Sequence, residues 1–208
     1  MNEIKEIIKS LKDEDFFERV NLHIHSTKSD GSAAPGEIVR KAREKGLKYF
    51  SICDHNTVAA YDEIGETEGL ITGVEFDCWY RGVFFHLLGY GIDVKSDALK
   101  PFLSKTKAGT ELDIVRIFAR RDVPKLISAI HTAGGIAVLA HPACCLTFNL
   151  KNFVKSLTDI GLEGLETRYP YRRHRAIIRF HKNQTVKKIA EELNLLQTGG
   201  TDAHGRQI

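Results

Sequence analysis

At 208 residues and a formal net charge of +3, the chain is long enough for one domain with a full core, and its charge does not by itself argue for nucleic acid or a membrane surface. With 42% hydrophobic and 27% charged residues it is globular in composition, which excludes a disordered or low-complexity chain. No run approaches the ~18 apolar residues of a spanning helix, and Met1 to Val20, rich in Lys and Glu, lacks the apolar core of a targeting peptide.

Residues 2–18 read as a helix, because Ile4, Ile7, Ile8 and Leu11 recur at helical spacing. Val20, Leu22 and Ile24 then alternate with Asn21, His23 and His25, the period of a strand over 20–25. Pro35 opens a helix that Gly46 ends. Lys48 to Cys53 is a second strand, running into Asp54-His55-Asn56, and a short helix or turn crosses 57–68. Leu70 to Phe76 and Val83 to Gly89 are strands three and four, with His86 inside the latter. Residues 94–121 are polar and helical in character. A helix over 123–133 stops at Gly134-Gly135, and the apolar strand Ile136 to Ala140 ends in His141-Pro142. Helix 149–159, strand Leu162 to Glu166, a long basic helix over about 172–193 and strand Leu195 to Thr198 follow, ending in Gly199-Gly200-Thr201-Asp202-Ala203-His204-Gly205. Strand and helix in repeated alternation argue an α/β fold with a largely parallel sheet and one domain over 1–208. In such folds sites are built where the carboxyl ends of strands emerge.

Histidine is the anomaly of the composition, with nine residues. His23 and His25 share one face at a strand end, and Asp30 follows a turn that Gly31 can close. The other strands contribute Asp54 and His55, Glu75, His86, His141, and Asp202 with His204. Imidazole and carboxylate together are a mixed nitrogen and oxygen ligand set. One ion takes three or four protein ligands, so this set suffices for two or three. Carboxylates gathered without cations oppose folding, and divalent ions remove that conflict. The donor types suit manganese, iron or zinc. The competing reading is a set of strand histidines that only hydrogen-bond.

The ordered pattern H-x-H with a following S-D-G, then D-H, G-V-E, an H in an H-x-x-G-Y-G-I-D run, A-H-P and T-D-A-H-G resembles the polymerase and histidinol phosphatase (PHP) superfamily. It is most similar to stand-alone bacterial phosphoesterases acting on nucleotides and short oligonucleotides, and it covers residues 20–205. The resemblance implies a distorted (β/α)7 barrel with a trinuclear metal site. His23, His25, Glu75 and Asp202 would hold one ion; Glu75, His86 and His141 a second; Asp30, His55 and His204 a third. Asp54 would orient an imidazole by accepting its other N–H. The implied activity is metal-dependent hydrolysis of a nucleotide phosphate monoester, a nucleoside monophosphate or 3′,5′-bisphosphate, by a metal-bridging hydroxide. The alternatives are 5′–3′ exonucleolytic trimming of short oligonucleotides, another small phosphate ester, and a non-catalytic metal-binding module.

Other segments carry lesser expectations. Arg172, Arg173 or Arg175, at the start of the basic helix, would bind phosphate, and Tyr169 and Tyr171 could stack a base. His174 is a candidate leaving-group acid, with a surface histidine as the rival reading. Ser26 and Cys53 read as structural, His131 and His181 as structural or exposed, and Trp79 and Tyr80 either line the pocket or pack. Residues 94–123 make a reduced, cap-like insertion compared with the family's. No closing helix follows His204 before Ile208, so residues 2–18 or a second subunit would cover that edge. Cys53, Cys78, Cys144 and Cys145 form no C-x-x-C pair and read as reduced thiols, which points to the cytoplasm.

Overall fold

The computed structural model describes residues 3–170, 179–205 and 208. Among them the order is α1 (Glu3–Ser10), β1 (Val20–Ile24), α2 (Pro35–Glu44), β2 (Tyr49–Ile52), α3 (Tyr61–Ile64), β3 (Gly73–Tyr80), β4 (Val83–Tyr90), α4 (Ala108–Glu111), α5 (Asp113–Arg116), α6 (Val123–Thr132), β5 (Ile136–Leu139), α7 (Leu150–Thr158), β6 (Gly164–Arg168), α8 (Asn183–Glu192) and β7 (Leu196–Gly199).

The strands form a two-stranded sheet, β1-β2, and a five-stranded sheet in the order β3-β4-β5-β6-β7. Single parallel bridges, His55 to Glu75 and Ile24 to Ala203, bring the edges of the two sheets together. Each bridge carries short backbone bonds, such as Asn56 N–H to Glu75 O at 2.7 Å and Asp202 N–H to His23 O at 2.8 Å. The fold is mixed α/β, with its strands in two sheets.

The expectation of a largely parallel sheet needs one correction. β1-β2, β5-β6 and β6-β7 are parallel, but β4 pairs antiparallel with both β3 and β5. The physical reason is the tight Arg81-Gly82 turn between β3 and β4. Both residues take positive φ, of 49° and 80°, and a two-residue connection can only return the chain antiparallel. The consequence matters for the site. Because β4 runs backwards, His86 reaches the common face from the first half of its strand.

Burial follows the alternation. Val74, Phe76, Cys78, Val83, Phe85 and Leu87 point from the β3–β4 hairpin into a core shared with Leu126, Ile127 and Ile130 of α6. A second core joins Val20 and Leu22 to Leu88, Tyr90, Ile136 and Val138, and α1 seals it with Ile4 and Ile8. The third lies between β1-β2 and α2 and includes Ile208.

Three expected elements are trimmed. The helix over 2–18 ends at Ser10, where a 3-10 turn (Asp13–Asp15) intervenes; Asp13 there pairs with Arg168 and Lys187, and Phe16 is buried. α1 packs against β7, the strand that leads into Asp202-Ala203-His204. The helical character of 94–121 resolves into a 3-10 turn, α4 and α5. The basic helix expected over 172–193 begins, within the described residues, only at Asn183, because Phe180 and His181 donate their backbone N–H groups to Ala143 O instead. No helix among the described residues is long and apolar enough to cross a membrane.

Candidate metal centre

His23, His25, Asp30, His55, Glu75, His86, His141, Asp202 and His204 are spread over the whole chain and meet at one end of the strands. Their donor atoms fall into groups that each lie within 4.8 Å: His25, Asp30, His55 and His204; His23, His25, Glu75 and Asp202; Glu75, His86 and His141. Glu75 belongs to two groups, and both its oxygens are in use. Oε2 faces His23 Nε2 at 3.3 Å and His25 Nε2 at 3.2 Å, while Oε1 faces His86 Nδ1 at 3.0 Å and His141 Nε2 at 3.2 Å.

The local backbone is arranged for this convergence. A Cβ on Gly200 would lie 2.3 Å from the Cβ of His23, and one on Gly31 would lie 2.3 Å from His25 O, so only glycine lets those loops close on β1. His141 and Asp202 take positive φ, of 28° and 49°. Neither is glycine, and such backbone costs about 1 kcal/mol or more and gathers at functional sites.

The contacts fit cations better than hydrogen bonds alone. His23 Nε2 and His25 Nε2 face each other at 3.2 Å, as do His86 Nδ1 and His141 Nε2. Two imidazole nitrogens so placed need a proton or a shared cation between them. Asp202 Oδ1 lies 2.9 Å from His25 Nε2, and His204 Nε2 lies 3.1 Å from Asp30 Oδ1, yet Asp202 Oδ1 and His204 Nε2 have no partner at hydrogen-bond geometry. Buried atoms in close contact without that geometry aim at common points. Protons hold the ion-free arrangement together. Burial alone would push His25 down, but the close carboxylates of Asp202 and Glu75 raise it to about 9. His86 rises to about 8 against the same burial, through Glu75 and Asp77. His55 falls to about 3, because burial and the neighbouring His25 and His86 outweigh Glu75 and Asp77. Burial works against the charge on Glu75, yet the imidazoles of His23, His55 and His86 hold its carboxyl well below the usual range.

Two buried carboxylates to which the sequence assigned no role lie behind the imidazoles, Glu166 in hydrogen bonds and Asp77 in charge contact. Glu166, on β6, accepts from His23 Nδ1 at 2.9 Å and from the His141 backbone N–H at 2.8 Å. Asp77, on β3, lies 3.1 Å from His86 Nε2 and 3.5 Å from His55 Nδ1. A carboxylate on the second nitrogen fixes an imidazole's tautomer and ring orientation and raises its basicity. Both had a signal. Glu166 is acidic at a strand end, and Asp77 stands two residues from Glu75, on the same face, but the strand was expected to stop at Phe76.

Asp54 was expected to orient an imidazole. Instead it accepts from Ser26 N–H (2.7 Å), Ser26 Oγ (2.6 Å) and Ser29 Oγ (2.6 Å). Three short donors leave it bracing the 26–29 loop, and its link to His25 runs through Ser29, whose Oγ is 3.4 Å from His25 Nδ1. Ser26 is thereby committed to that loop. Burial pushes the Cys53 thiol up to about 12, and its sulfur lies 3.3 Å from Leu22 O, which suits a structural group. Tyr169 does not stack outward: its hydroxyl donates to Asp202 Oδ2 at 2.5 Å. Tyr171, Arg172, Arg173, His174 and Arg175 lie outside the described residues.

One cation came without a sequence signal. Arg116, on α5 and 3% exposed, donates from Nη1 and Nη2 to Asp30 Oδ2 at 3.0 and 3.1 Å, and also bonds Asp113 and Thr110 O. It is one wall of a cavity of about 470 Å³, with His55, Glu75, Asp77, His86, His141, Asp202 and His204 on the polar side and Phe84, Phe85 and Ile117 on the apolar side.

An imidazole and carboxylate cluster, with its imidazoles clamped from behind and an apolar-walled cavity in front, defines a metal-dependent hydrolase. The PHP domain family model matches residues 21–206, and the chain belongs to that family. It is similar to a 5′-3′ exoribonuclease of Haemophilus influenzae, 28% identical over 255 aligned positions covering 89% of this chain and 90% of the relative. It is also similar to a phosphoribosyl 1,2-cyclic phosphate 1,2-diphosphodiesterase of Eggerthella lenta, 24% identical over 261 positions with 89% and 94% covered. Among solved structures, a protein from Bifidobacterium adolescentis described as a metal-dependent phosphoesterase superposes with a TM-score of 0.67 at 21% identity, over 91% of this chain and 88% of that one. Both alignments are longer than this 208-residue chain, so both relatives carry residues without a counterpart here.

Proposed function

We propose that this metal-dependent phosphoesterase hydrolyses a phosphate monoester of a nucleotide, a nucleoside monophosphate or 3′,5′-bisphosphate. The observation that supports this best is the sharing of Glu75 between two donor groups, with a third group beside them. Two or three divalent ions, of manganese, iron or zinc, fit those groups. His23, His25, Glu75 and Asp202 would hold one, Glu75, His86 and His141 another, and Asp30, His55 and His204 a third. When bound, such ions supply Lewis-acid stabilisation of the phosphoryl charge and an acidified water at neutral pH.

The chain's own residues do the rest. Glu166 holds the proton of His23 on Nδ1, the nitrogen that faces away from Glu75, and Asp77 presents its charge to His86 Nε2 and His55 Nδ1. Tyr169 keeps its proton, since burial raises the phenol far above its ordinary range, and it pins Asp202 Oδ2 so that Oδ1 faces His25. Arg116 holds Asp30 from the opposite wall. Phe84 and Ile117 form an apolar side of the cavity and suit a leaving group with an apolar face. Hydrolysis joins the oxygen of water to phosphorus as the ester P–O bond breaks, and the alcohol oxygen leaves with the proton that water gives up. Residues 94–123 form a reduced cap in this reading, and no cysteine or serine nucleophile is needed.

The name of the Haemophilus relative favours a second reading, trimming of short oligonucleotides. One experiment tests both. Protein reconstituted with manganese is assayed for phosphate and nucleotide release from nucleoside monophosphates, 3′,5′-bisphosphates, short RNA and histidinol phosphate, beside His23→Ala. Release lost in that variant is expected; full metal content without turnover on any member would leave a non-catalytic metal-binding module.

A further inference from the structure

The two faces of the β3–β4 hairpin differ in more than polarity. The register pairs Glu75 with Leu88, Asp77 with His86, and Trp79 with Phe84. These side chains share one face, because alternate residues of a strand do. The donor cluster therefore continues, one pair further and about 7 Å along the strand, into two aromatic rings at the hairpin tip. On the opposite face Cys78 and Phe85 are buried in the core, whereas Trp79 and Phe84 remain only half-buried.

The rings form a connected path. Phe84 meets the His86 ring edge-on at 5.3 Å and lines the cavity. The Trp79 ring is tilted against Phe84 at 5.4 Å. The indole N–H donates to Ile117 O at 2.6 Å, which fixes its plane, and the exposed Arg120 guanidinium sits 4.6 Å over its face. A fixed aromatic ring covered only by an exposed guanidinium suits single-stranded nucleic acid: the guanidinium swings to the phosphate, and a base takes its place on the ring.

We propose that Trp79 and Phe84, with Arg120, form a stacking subsite for the base one nucleotide beyond the scissile phosphate, so that the chain prefers a short single strand to a lone nucleotide. This rests on the phosphoesterase reading of the donor cluster and favours, of its two substrate readings, phosphodiester cleavage in a short strand over hydrolysis of a lone nucleotide's monoester.

Trp79 is the only tryptophan of the chain, so its fluorescence reports this subsite directly. The probe is a 5′-phosphorylated triadenylate with methylene in place of its ester oxygens, added to zinc-loaded protein beside inorganic phosphate, ribose 5-phosphate and AMP. Saturable quenching by the triadenylate at a Kd about tenfold or more below that of AMP is expected, with no quenching by the two base-free ligands. Fluorescence that ignores the triadenylate, or answers equally to inorganic phosphate, would overturn the proposal. On a cleavable triadenylate, Trp79→Ala should lower kcat/KM about tenfold, several-fold more than on AMP, and Trp79→Phe should recover most of the loss. Equal losses on the two substrates would also count against the subsite. Absence of turnover on every nucleotide by the wild type would instead remove the phosphoesterase reading, a failure that the fluorescence arm does not share.

Discussion

The two faces of the β3–β4 hairpin are built from neighbouring residues and do opposite work. Val74, Phe76, Cys78, Phe85 and Leu87 face α6 and are almost fully buried among apolar side chains. Glu75, Asp77 and His86 alternate with them and face one another and four other imidazoles, those of His23, His25, His55 and His141. One face contributes stability through burial. The other holds charge that burial opposes, and is retained for its chemistry. A one-residue slip in register would exchange the two sets. Tight pairing along all eight positions of each strand thus protects function and fold together.

The comparison breaks most sharply at Glu75. Glu75→Gln should reduce turnover by about a thousand-fold or more, because it removes the charge two donor groups share, while circular dichroism stays near wild type. Its mirror on the apolar face is Leu87→Ala, which should cost about 2–5 kcal/mol in denaturant unfolding and leave turnover per folded molecule unchanged. Equal behaviour of the two variants would erase the division of labour. Asp77→Asn lies between them. It keeps the shape but removes the charge behind His86 and His55, so metal affinity measured by chelator competition should fall about 10–100-fold. An affinity within twofold of wild type would return Asp77 to a purely structural role.

Ion-free protein gives a smaller effect. His25 and His86, raised to about 9 and 8, bind protons more tightly in the folded state than the unfolded. Their contribution to stability is complete below about pH 6.5 and is lost as pH rises toward 9. Melting temperatures of chelated protein should therefore fall between pH 6.5 and 9. Added metal should restore more stability at the upper end, since metals replace those protons. A flat chelated profile would show that the imidazoles are not held by the carboxylates. Smallest of all, Asn149 caps α7 by accepting from Asn152 N–H at 3.0 Å. Asn149→Ala should cost about 1 kcal/mol, a shift of about 2–4 °C, with no change in activity.

The sequence by itself determined the strand and helix alternation and the nine donor positions, because both are written locally. Period-two patterning marks β1 from its own residues, and a histidine or acid after an apolar run marks a strand end. His23-x-His25 and Asp202-Ala203-His204 needed no partner to be noticed. Tertiary structure decided the rest. The reversal of β4, the joining of both sheets at His55–Glu75 and Ile24–Ala203, and the clamping of His23 by Glu166, 143 positions away, depend on contacts between distant segments. Arg116 shows the limit most clearly. In sequence it is one arginine among several in 94–121, and only packing α5 against the cavity, 86 positions from Asp30, turns its charge inward. A local pattern records which face a residue takes, but a buried ion pair is set by which faces meet, and that information is spread over the whole chain.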